Sequence, residues 1–153
     1  MLDVPGFLLA YNPKKSSKRA QLKQIKVLEK GIVQYNEEEL GSGYLQISEG
    51  CRGSCSFCAE NWTRKPYREL SSSVLLEKSL IMKAEMGLEN IDLFSFNFNM
   101  HSDFYKLLLG LSRTFRKIGL KSQRFDMFAG DPEMIFYQQA AGKASFSCGL
   151  EGI

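Results

Sequence analysis

Three cysteine thiols lie within eight residues of one another near the middle of the sequence. The stretch SEGCRGSCSFCAEN, residues 48–61, places Cys51, Cys55 and Cys58 in the spacing C-x3-C-x2-C, and Cys148 follows far downstream. Thiolates on one short loop can reach one metal centre. A structural zinc site uses four ligands, usually brought as two pairs. Three thiolates instead suit a 4Fe–4S cluster whose fourth iron keeps an open position.

The residues alone leave the fourth ligand open. Cys148 or His101, the one histidine of the chain, would have to complete a zinc site. Gly50 and Gly53 give the loop backbone the freedom to turn and to approach a cofactor closely.

The composition indicates one globular domain in a reducing compartment. The chain has 153 residues, of which 44% are hydrophobic and 24% charged, and its net charge is +3. No stretch reaches the roughly 18 consecutive apolar residues of a membrane span. The short apolar run at the N-terminus precedes the charged residues, which is the wrong order for a secretory signal. We therefore expect a cytoplasmic protein that contacts no membrane, in which clustered cysteines bind metal.

Strand and helix patterns alternate after a basic N-terminal segment, residues 1–43. Apolar spacing, caps and glycines predict strands at 44–48, 90–100, 120–130 and 143–153 and helices at 71–87, 102–119 and 131–142. For the first helix the predicted apolar face is Leu75, Leu76, Leu80, Ile81 and Ala84, and Gly119 is predicted to end the second helix.

Such alternation predicts an α/β fold, a partial, open parallel βα barrel of about four strands and three helices over 44–153. A full barrel needs about 200 residues or more. Because the fourth strand has no covering helix after it, we expect the chain to be part of a longer protein that continues on the C-terminal side.

The stretch CRGSCSFC resembles the hallmark of the radical S-adenosylmethionine (radical SAM) family, which has an aromatic residue, here Phe57, just before the last cysteine. The resemblance covers about residues 44–153 as a half-barrel. It implies that Cys51, Cys55 and Cys58 hold a 4Fe–4S cluster and that S-adenosylmethionine chelates the fourth iron. One electron, from an external flavodoxin-like or ferredoxin-like donor, then cleaves S-adenosylmethionine to a 5′-deoxyadenosyl radical. Phe57 would lie beside the adenine, or else be an ordinary core aromatic.

The end of the second predicted strand departs from the family pattern. Many members carry Gly-Gly-Glu there to hold the methionyl amine, whereas this chain has FSFNFNMHSD. Asn97 or Asn99 would supply the carbonyl oxygen, and either is as well explained as a turn-capping asparagine. His101 would touch substrate or donate a proton, or serve a structural role at a helix start.

Two later stretches resemble the cobalamin-dependent and methylthiotransferase-like members of the family. In QRFD, Arg124 and Asp126 are predicted to share one face of the third strand, with Arg124 pairing either with the cofactor carboxylate or with Asp126 in an ion pair inside the barrel. In CGLEG, Glu151 would bind the amine or the ribose hydroxyls of S-adenosylmethionine, and Cys148 is expected to be a small buried hydrophobe.

These interpretations predict a radical SAM enzyme, an incomplete fragment that acts in methyl or methylthio transfer on an unknown substrate, with cobalamin in an upstream domain. The alternative is a non-enzymatic zinc-binding module. In that case its basic N-terminal segment, with seven Lys or Arg residues against two acidic ones in residues 1–35, would dock on nucleic acid.

Overall fold

The computed structural model describes residues 40–149, and the predictions that concern residues 1–39 and 150–153 lie outside that range. The described elements in chain order are β1 (Ser42–Gln46), β2 (Ser48–Glu49), α1 (Ala59–Thr63), β3 (Arg68–Glu69), α2 (Ser72–Met86), β4 (Asn90–Phe94), a short 3-10 helix (Phe98–Met100), α3 (Phe104–Ser112), β5 (Lys117–Leu120), β6 (Gln123–Arg124), α4 (Phe125–Gly130), α5 (Glu133–Ala140) and β7 (Cys148–Gly149).

A parallel sheet with the strand order β1-β4-β5 forms the centre of the fold. Leu45 pairs with Leu93, and Leu93 pairs with Leu120, so apolar side chains from three strands meet in one row. α2 connects β1 to β4 and α3 connects β4 to β5, which is the βαβ arrangement that parallel pairing requires. The prediction of an α/β fold with a partial parallel barrel is confirmed.

Two shorter pairs continue this framework. β6 and β7 pair in parallel, with Gln123 opposite Cys148 and Arg124 opposite Gly149, so the fourth strand begins beside the third. β2 and β3 pair antiparallel, which closes the chain between them, residues 50–67, into a loop. That loop contains the three clustered cysteines.

The core lies between the sheet and the helices that follow its strands. Its fully buried apolar members come from β1 and the residue after it, from β4, α2 and α3, and from the start of the 3-10 helix: Leu45, Ile47, Leu75, Ile91, Leu93, Phe98, Phe104, Leu107, Leu108 and Leu111. Burial of these side chains is the main driving force for folding. No helix within residues 40–149 is long and apolar enough to cross a membrane.

The position of α2 agrees with the prediction, but its predicted apolar face is only partly right. Leu75 is buried and Leu76 packs against the core, whereas the remaining three members, Leu80, Ile81 and Ala84, are exposed. Leu80 and Ile81 are 54% and 44% exposed. The buried residues of α2 are Ser72, Leu75, Ser79 and Met82. The serines can be buried because the Ser72 hydroxyl donates to Asp103 (2.7 Å) and the Ser79 hydroxyl donates to a backbone carbonyl of its own helix (2.8 Å). The apolar pattern did not predict this face, because a serine hydroxyl that has a hydrogen-bond partner can also be buried.

The second helix is shorter than predicted, and the segment after it is a strand. α3 ends at Ser112, and Gly119 lies within β5, where a Cβ would overlap the Asp92 carboxylate of the neighbouring strand. Helical spacing continues past the end of α3 through Leu111, Phe115 and Ile118, all of them buried. Because alternation also fits 117–120, periodicity alone could not separate helix from strand there.

Two predicted strands are only partly strands. Residues 120–130 contain the last residue of β5 and all of β6, but residues 125–130 form α4. In the first turn of α4, the Asp126 carboxylate accepts from Arg124 (2.8 Å) and from the N–H of Met127 (3.1 Å). An acidic side chain in the first turn is favourable to a helix. Residues 90–100 pair as a strand only to Phe94, after which Phe98 is buried at the start of the 3-10 helix. In 143–149, pairing begins at Cys148.

Candidate metal centre

The cysteine loop follows the carboxyl end of β1, and its first turn depends on Gly50. Gly50 has a φ of +77°, a backbone conformation that side chains disfavour. A Cβ at this position would overlap the carbonyl oxygen of Arg64 and lie 3.2 Å from that of Pro66, so the two ends of the loop approach each other closely only because residue 50 has no side chain.

A polar network around Arg52 fixes the beginning of the loop to β3 and to the residues before α3. Arg52 donates to the Glu69 carboxylate of β3 (3.1 Å) and to the Ser102 hydroxyl (2.7 Å), and its guanidinium lies 4.6 Å from the centre of the Tyr67 ring. Tyr67 also donates to Glu69 (2.6 Å), as does the backbone N–H of Ser102 (3.2 Å). The loop is therefore held from two elements distant in sequence.

This network shifts two pKa values in opposite directions. Burial and the hydrogen bond to Glu69 raise the pKa of Tyr67 well above its ordinary value, so the phenol remains a donor. Burial pushes the pKa of Glu69 upward, but hydrogen bonds from Ser102 and Tyr67 outweigh it and the pKa is lowered. Glu69 is thus an anion that can anchor Arg52.

Two of the three sulfurs are neighbours. A Cβ built on Gly53 would lie 3.3 Å from Cys51 Sγ and 3.6 Å from Cys55 Sγ, so both sulfurs face the same small volume. The backbone N–H of Cys58 donates to the carbonyl of Cys55 (3.2 Å), which turns the loop between the second and third cysteines. Within residues 40–149 none of the four cysteines forms a disulfide, and each of them is partly buried.

Hydrogen-bond donors point at these sulfurs. Cys51 Sγ accepts from the Gly53 N–H (3.3 Å) and from Asn97 Nδ2 (3.4 Å), and Cys55 Sγ accepts from Arg124 Nη1 (3.6 Å). Hydrogen bonds to ligand sulfurs orient the ligands and tune a metal bound to them. Between residues 40 and 149 no three His, Cys, Asp or Glu side chains are already gathered as a metal site. The chemistry of the donor set nevertheless fits an iron–sulfur cluster on the loop cysteines.

Arg124 is held at both its side chain and its backbone. Its guanidinium makes two hydrogen bonds to the Asp126 carboxylate, of 2.8 and 2.7 Å. The Asn99 side chain accepts from the Arg124 N–H (3.0 Å) and donates to the Arg124 carbonyl (2.8 Å). Hydrogen bonding to Asp126 raises the pKa of Arg124 and, in return, lowers that of Asp126. The predicted pairing of the two residues is present, but Asp126 is largely exposed and lies in α4, so the expected ion pair inside the barrel is wrong.

The structure separates the roles of Asn97 and Asn99. Asn97 is directed at Cys51, whereas Asn99 is fully buried and its amide is occupied by the backbone of Arg124. His101 is also buried, and both of its ring nitrogens are engaged. Nδ1 accepts from the Asp103 N–H (3.1 Å), so Nε2 carries the proton and donates to the Leu70 carbonyl (2.9 Å). These contacts give Asn99 and His101 structural roles.

The other candidates divide between the surface and the core. Phe57 is 69% exposed on the cysteine loop, so it is not a core aromatic. Cys148 is partly buried, packs against the core and lies in β7. Glu151 lies outside the described residues.

A pocket of about 320 Å³ opens beside the cysteine loop at the carboxyl ends of β1 and β4. The ends of β1, β2 and β4 and the helix α1 line it with Gln46, Ser48, Glu49, Glu60, Arg64, Phe94, Ser95 and Phe96. In parallel α/β folds this edge of the sheet is where ligands bind. Sequence reasoning did not find this pocket, nor the residues that anchor Arg52. The polar, arginine-containing stretch after the cysteines, residues 59–69, was the feature of the sequence that could have indicated both.

The fold and the loop define an α/β protein of parallel βα units that presents clustered thiols at the carboxyl edge of its sheet. Residues 45–153 match the family model described as the Radical SAM superfamily. The chain belongs to that superfamily.

Curated relatives match over about half of this chain. It is 28% identical over 75 residues to tRNA-2-methylthio-N(6)-dimethylallyladenosine synthase of Ehrlichia ruminantium (strain Gardel), which covers 49% of the chain. It is 33% identical over 75 residues to the ribosomal protein uS12 methylthiotransferase RimO of Chlorobium chlorochromatii (strain CaD3), which covers 45% of the chain. In both cases the match spans 17% of the relative's length. These similarities concern methylthiotransferases and give no support to the expected use of cobalamin.

Proposed function

We propose that this chain carries the cofactor-binding part of a radical SAM enzyme that acts in methylthio transfer. Cys51, Cys55 and Cys58 would hold a 4Fe–4S cluster. When bound, the cluster and S-adenosylmethionine would together supply a 5′-deoxyadenosyl radical, with the electron coming from an external flavodoxin-like or ferredoxin-like donor in a reducing cytoplasm. The observation that carries the proposal is the convergence of Gly53, Asn97 and Arg124 on the sulfurs of Cys51 and Cys55.

The residues around the loop have distinct parts in this proposal. Gly50 permits the turn that starts the loop, and Arg52 fixes the residues just after that turn through Glu69. Hydrogen bonds from Gly53 and Asn97 orient the sulfur of Cys51. Each of these contacts orders the loop before any metal binds, which reduces the entropy lost on cluster assembly.

The pocket between β1 and β4 is the proposed place for S-adenosylmethionine. Glu49 and Glu60 line it, and carboxylates are good acceptors for an ammonium or for ribose hydroxyls. The amide oxygen of Asn97 is the acceptor proposed for the methionyl amine, and the exposed ring of Phe57 is proposed to cover the adenine. Glu151 remains a proposed ligand of the amine or ribose.

Iron analysis after anaerobic reconstitution tests the cluster. We expect the protein to take up about four irons and four sulfides per chain and to turn brown, as a 4Fe–4S site requires. Cys51→Ala, Cys55→Ala and Cys58→Ala should each lose the cluster. Cys148→Ala is the matched control and should retain it, because that thiol lies in β7. Stoichiometric zinc without iron, or loss of the cluster in the control, would contradict the proposal.

Binding of S-adenosylmethionine is then tested separately on the reconstituted protein. Addition of S-adenosylmethionine should change the electron paramagnetic resonance spectrum of the reduced cluster, and reduction should release 5′-deoxyadenosine. A loaded cluster whose spectrum does not respond to S-adenosylmethionine would leave an iron–sulfur protein and refute the radical SAM activity.

A further inference from the structure

The guanidinium of Arg124 contacts a sulfur of the cysteine loop. Its Nη1 lies 3.6 Å from Cys55 Sγ. A Cβ on Gly53 would lie 3.0 Å from the same nitrogen, so the guanidinium occupies the volume that both sulfurs face. The guanidinium is therefore placed against a metal ligand.

Two residues hold Arg124 in this place. Asn99 holds the backbone of Arg124 by two hydrogen bonds and is itself fully buried. Asp126 holds Nε and Nη2 in a two-bond pairing, which leaves Nη1 directed toward Cys55. A planar guanidinium that makes two hydrogen bonds to one carboxylate has little rotational freedom, so its position is fixed before a cofactor binds.

The two charges next to Cys55, on Arg124 and Asp126, differ in their exposure to solvent. Arg124 is mostly buried, whereas Asp126 is largely exposed, so water screens the carboxylate more than the guanidinium. The guanidinium also contacts Cys55 directly, whereas the bonds of Asp126 are to Nε and Nη2 of the guanidinium, so we expect the positive charge to have the larger effect at Cys55. Hydrogen bonds and charges next to the sulfurs are among the factors that set the reduction potential of a cluster.

We propose that Arg124 is a positioning residue for the Cys55 sulfur, whose fixed positive charge raises the reduction potential of the cluster. This inference rests on the proposed function. It differs from a role in binding the carboxylate of S-adenosylmethionine, because it predicts an effect on the cluster in the absence of that cofactor. A nearby cation stabilises the reduced cluster, which carries one more negative charge than the oxidised one.

The test is a redox titration of the reconstituted protein without S-adenosylmethionine, followed by electron paramagnetic resonance. Arg124→Gln removes the charge and should shift the midpoint potential to more negative values, whereas Arg124→Lys should stay close to the parent. Asp126→Asn removes the counter-charge and should shift the potential in the opposite direction. Opposite shifts from two partners of one ion pair distinguish a charge effect from structural damage, which would act in one direction.

Arg116→Gln is the matched control, because this exposed arginine pairs with Glu89 at the opposite edge of the sheet. Its potential should equal that of the parent. An unchanged potential in Arg124→Gln with an intact cluster would overturn the inference, as would an effect confined to S-adenosylmethionine affinity. If Arg124→Gln does not load iron, Asp126→Asn decides, and an unchanged potential there overturns the inference. Failure of the parent protein to load iron would instead refute the proposed function itself.

Discussion

Replacing Gly50 by alanine should destabilise the protein by more than its backbone conformation alone explains. A residue with a side chain pays about 1–2 kcal/mol to adopt a left-handed conformation such as the φ of +77° found here. The added Cβ would also overlap the Arg64 carbonyl oxygen and press on that of Pro66 at 3.2 Å. Since these are backbone atoms, the whole end of the loop must move, at about 1–3 kcal/mol for forced overpacking.

Gly87 offers a control that isolates the second effect. It also has a positive φ, of +64°, at the C-cap of α2, but a Cβ there would meet nothing within 4 Å. We therefore expect Gly87→Ala to cost about 1–2 kcal/mol and Gly50→Ala about 2–5 kcal/mol. Urea denaturation under anaerobic, reducing conditions measures both changes in the free energy of unfolding.

Iron uptake gives an independent readout of the same pair. Gly50→Ala should lower the iron content after reconstitution, whereas Gly87→Ala should leave it unchanged, because only the first substitution displaces the cysteine loop. Equal losses of stability in the two variants, or full iron loading of Gly50→Ala, would show that the close approach at Gly50 does not shape the site.

Two further predictions concern the core and the start of α2. Gln123 and Gln138 are buried and exchange two hydrogen bonds (2.6 and 2.7 Å). Gln138→Leu should therefore lower the free energy of unfolding, measured by urea denaturation, by about 2–4 kcal/mol, because it leaves the buried amide of Gln123 unsatisfied, and the double leucine variant should recover most of that loss. A double variant as unstable as the sum of the two single variants would refute this explanation. Hydrogen bonds from Ser72 lower the pKa of Asp103, so its contribution is present at neutral pH and is lost as the pH falls through the lowered pKa. The stability difference between the parent and Asp103→Asn should accordingly shrink toward pH 2, and a constant difference across the titration would argue against this role.

The local part of the site could be predicted from the sequence, but its contacts between distant residues could not. The cysteine spacing and the glycines belong to one short segment, so the loop and its place after a strand could be predicted. The contacts of Arg52 with Glu69 and Ser102 join residues 17 and 50 positions apart, and no periodic pattern encodes them. The choice between Asn97 and Asn99 depended on where the chain leaves β4, which alternation alone placed too late.

Helix faces and element ends show the same limit. Leu80 and Ile81 were assigned to the core because they are apolar, whereas Ser72 and Ser79 took that place once their hydroxyls had partners. At the start of α2, the backbone N–H of Ser72 donates to Asp103, a residue that precedes another helix. Hydrogen-bond partners that arrive from elsewhere in the fold cannot be read from a segment on its own.

The amide of Asn99 restricts which amino acids its position can accept. β4 leaves its ladder after Phe94, and the side chain of Asn99 then pairs with the backbone of Arg124 as another peptide group would. Aspartate has the same length but no N–H to give, leucine has neither donor nor acceptor, and glutamine is one methylene too long for the fully enclosed space. Among related sequences, fewer amino acids should therefore occur at position 99 than at the exposed position 96 nearby. This restriction would arise from the bonds of Asn99 to the backbone of Arg124 and not from a contact with a cysteine sulfur.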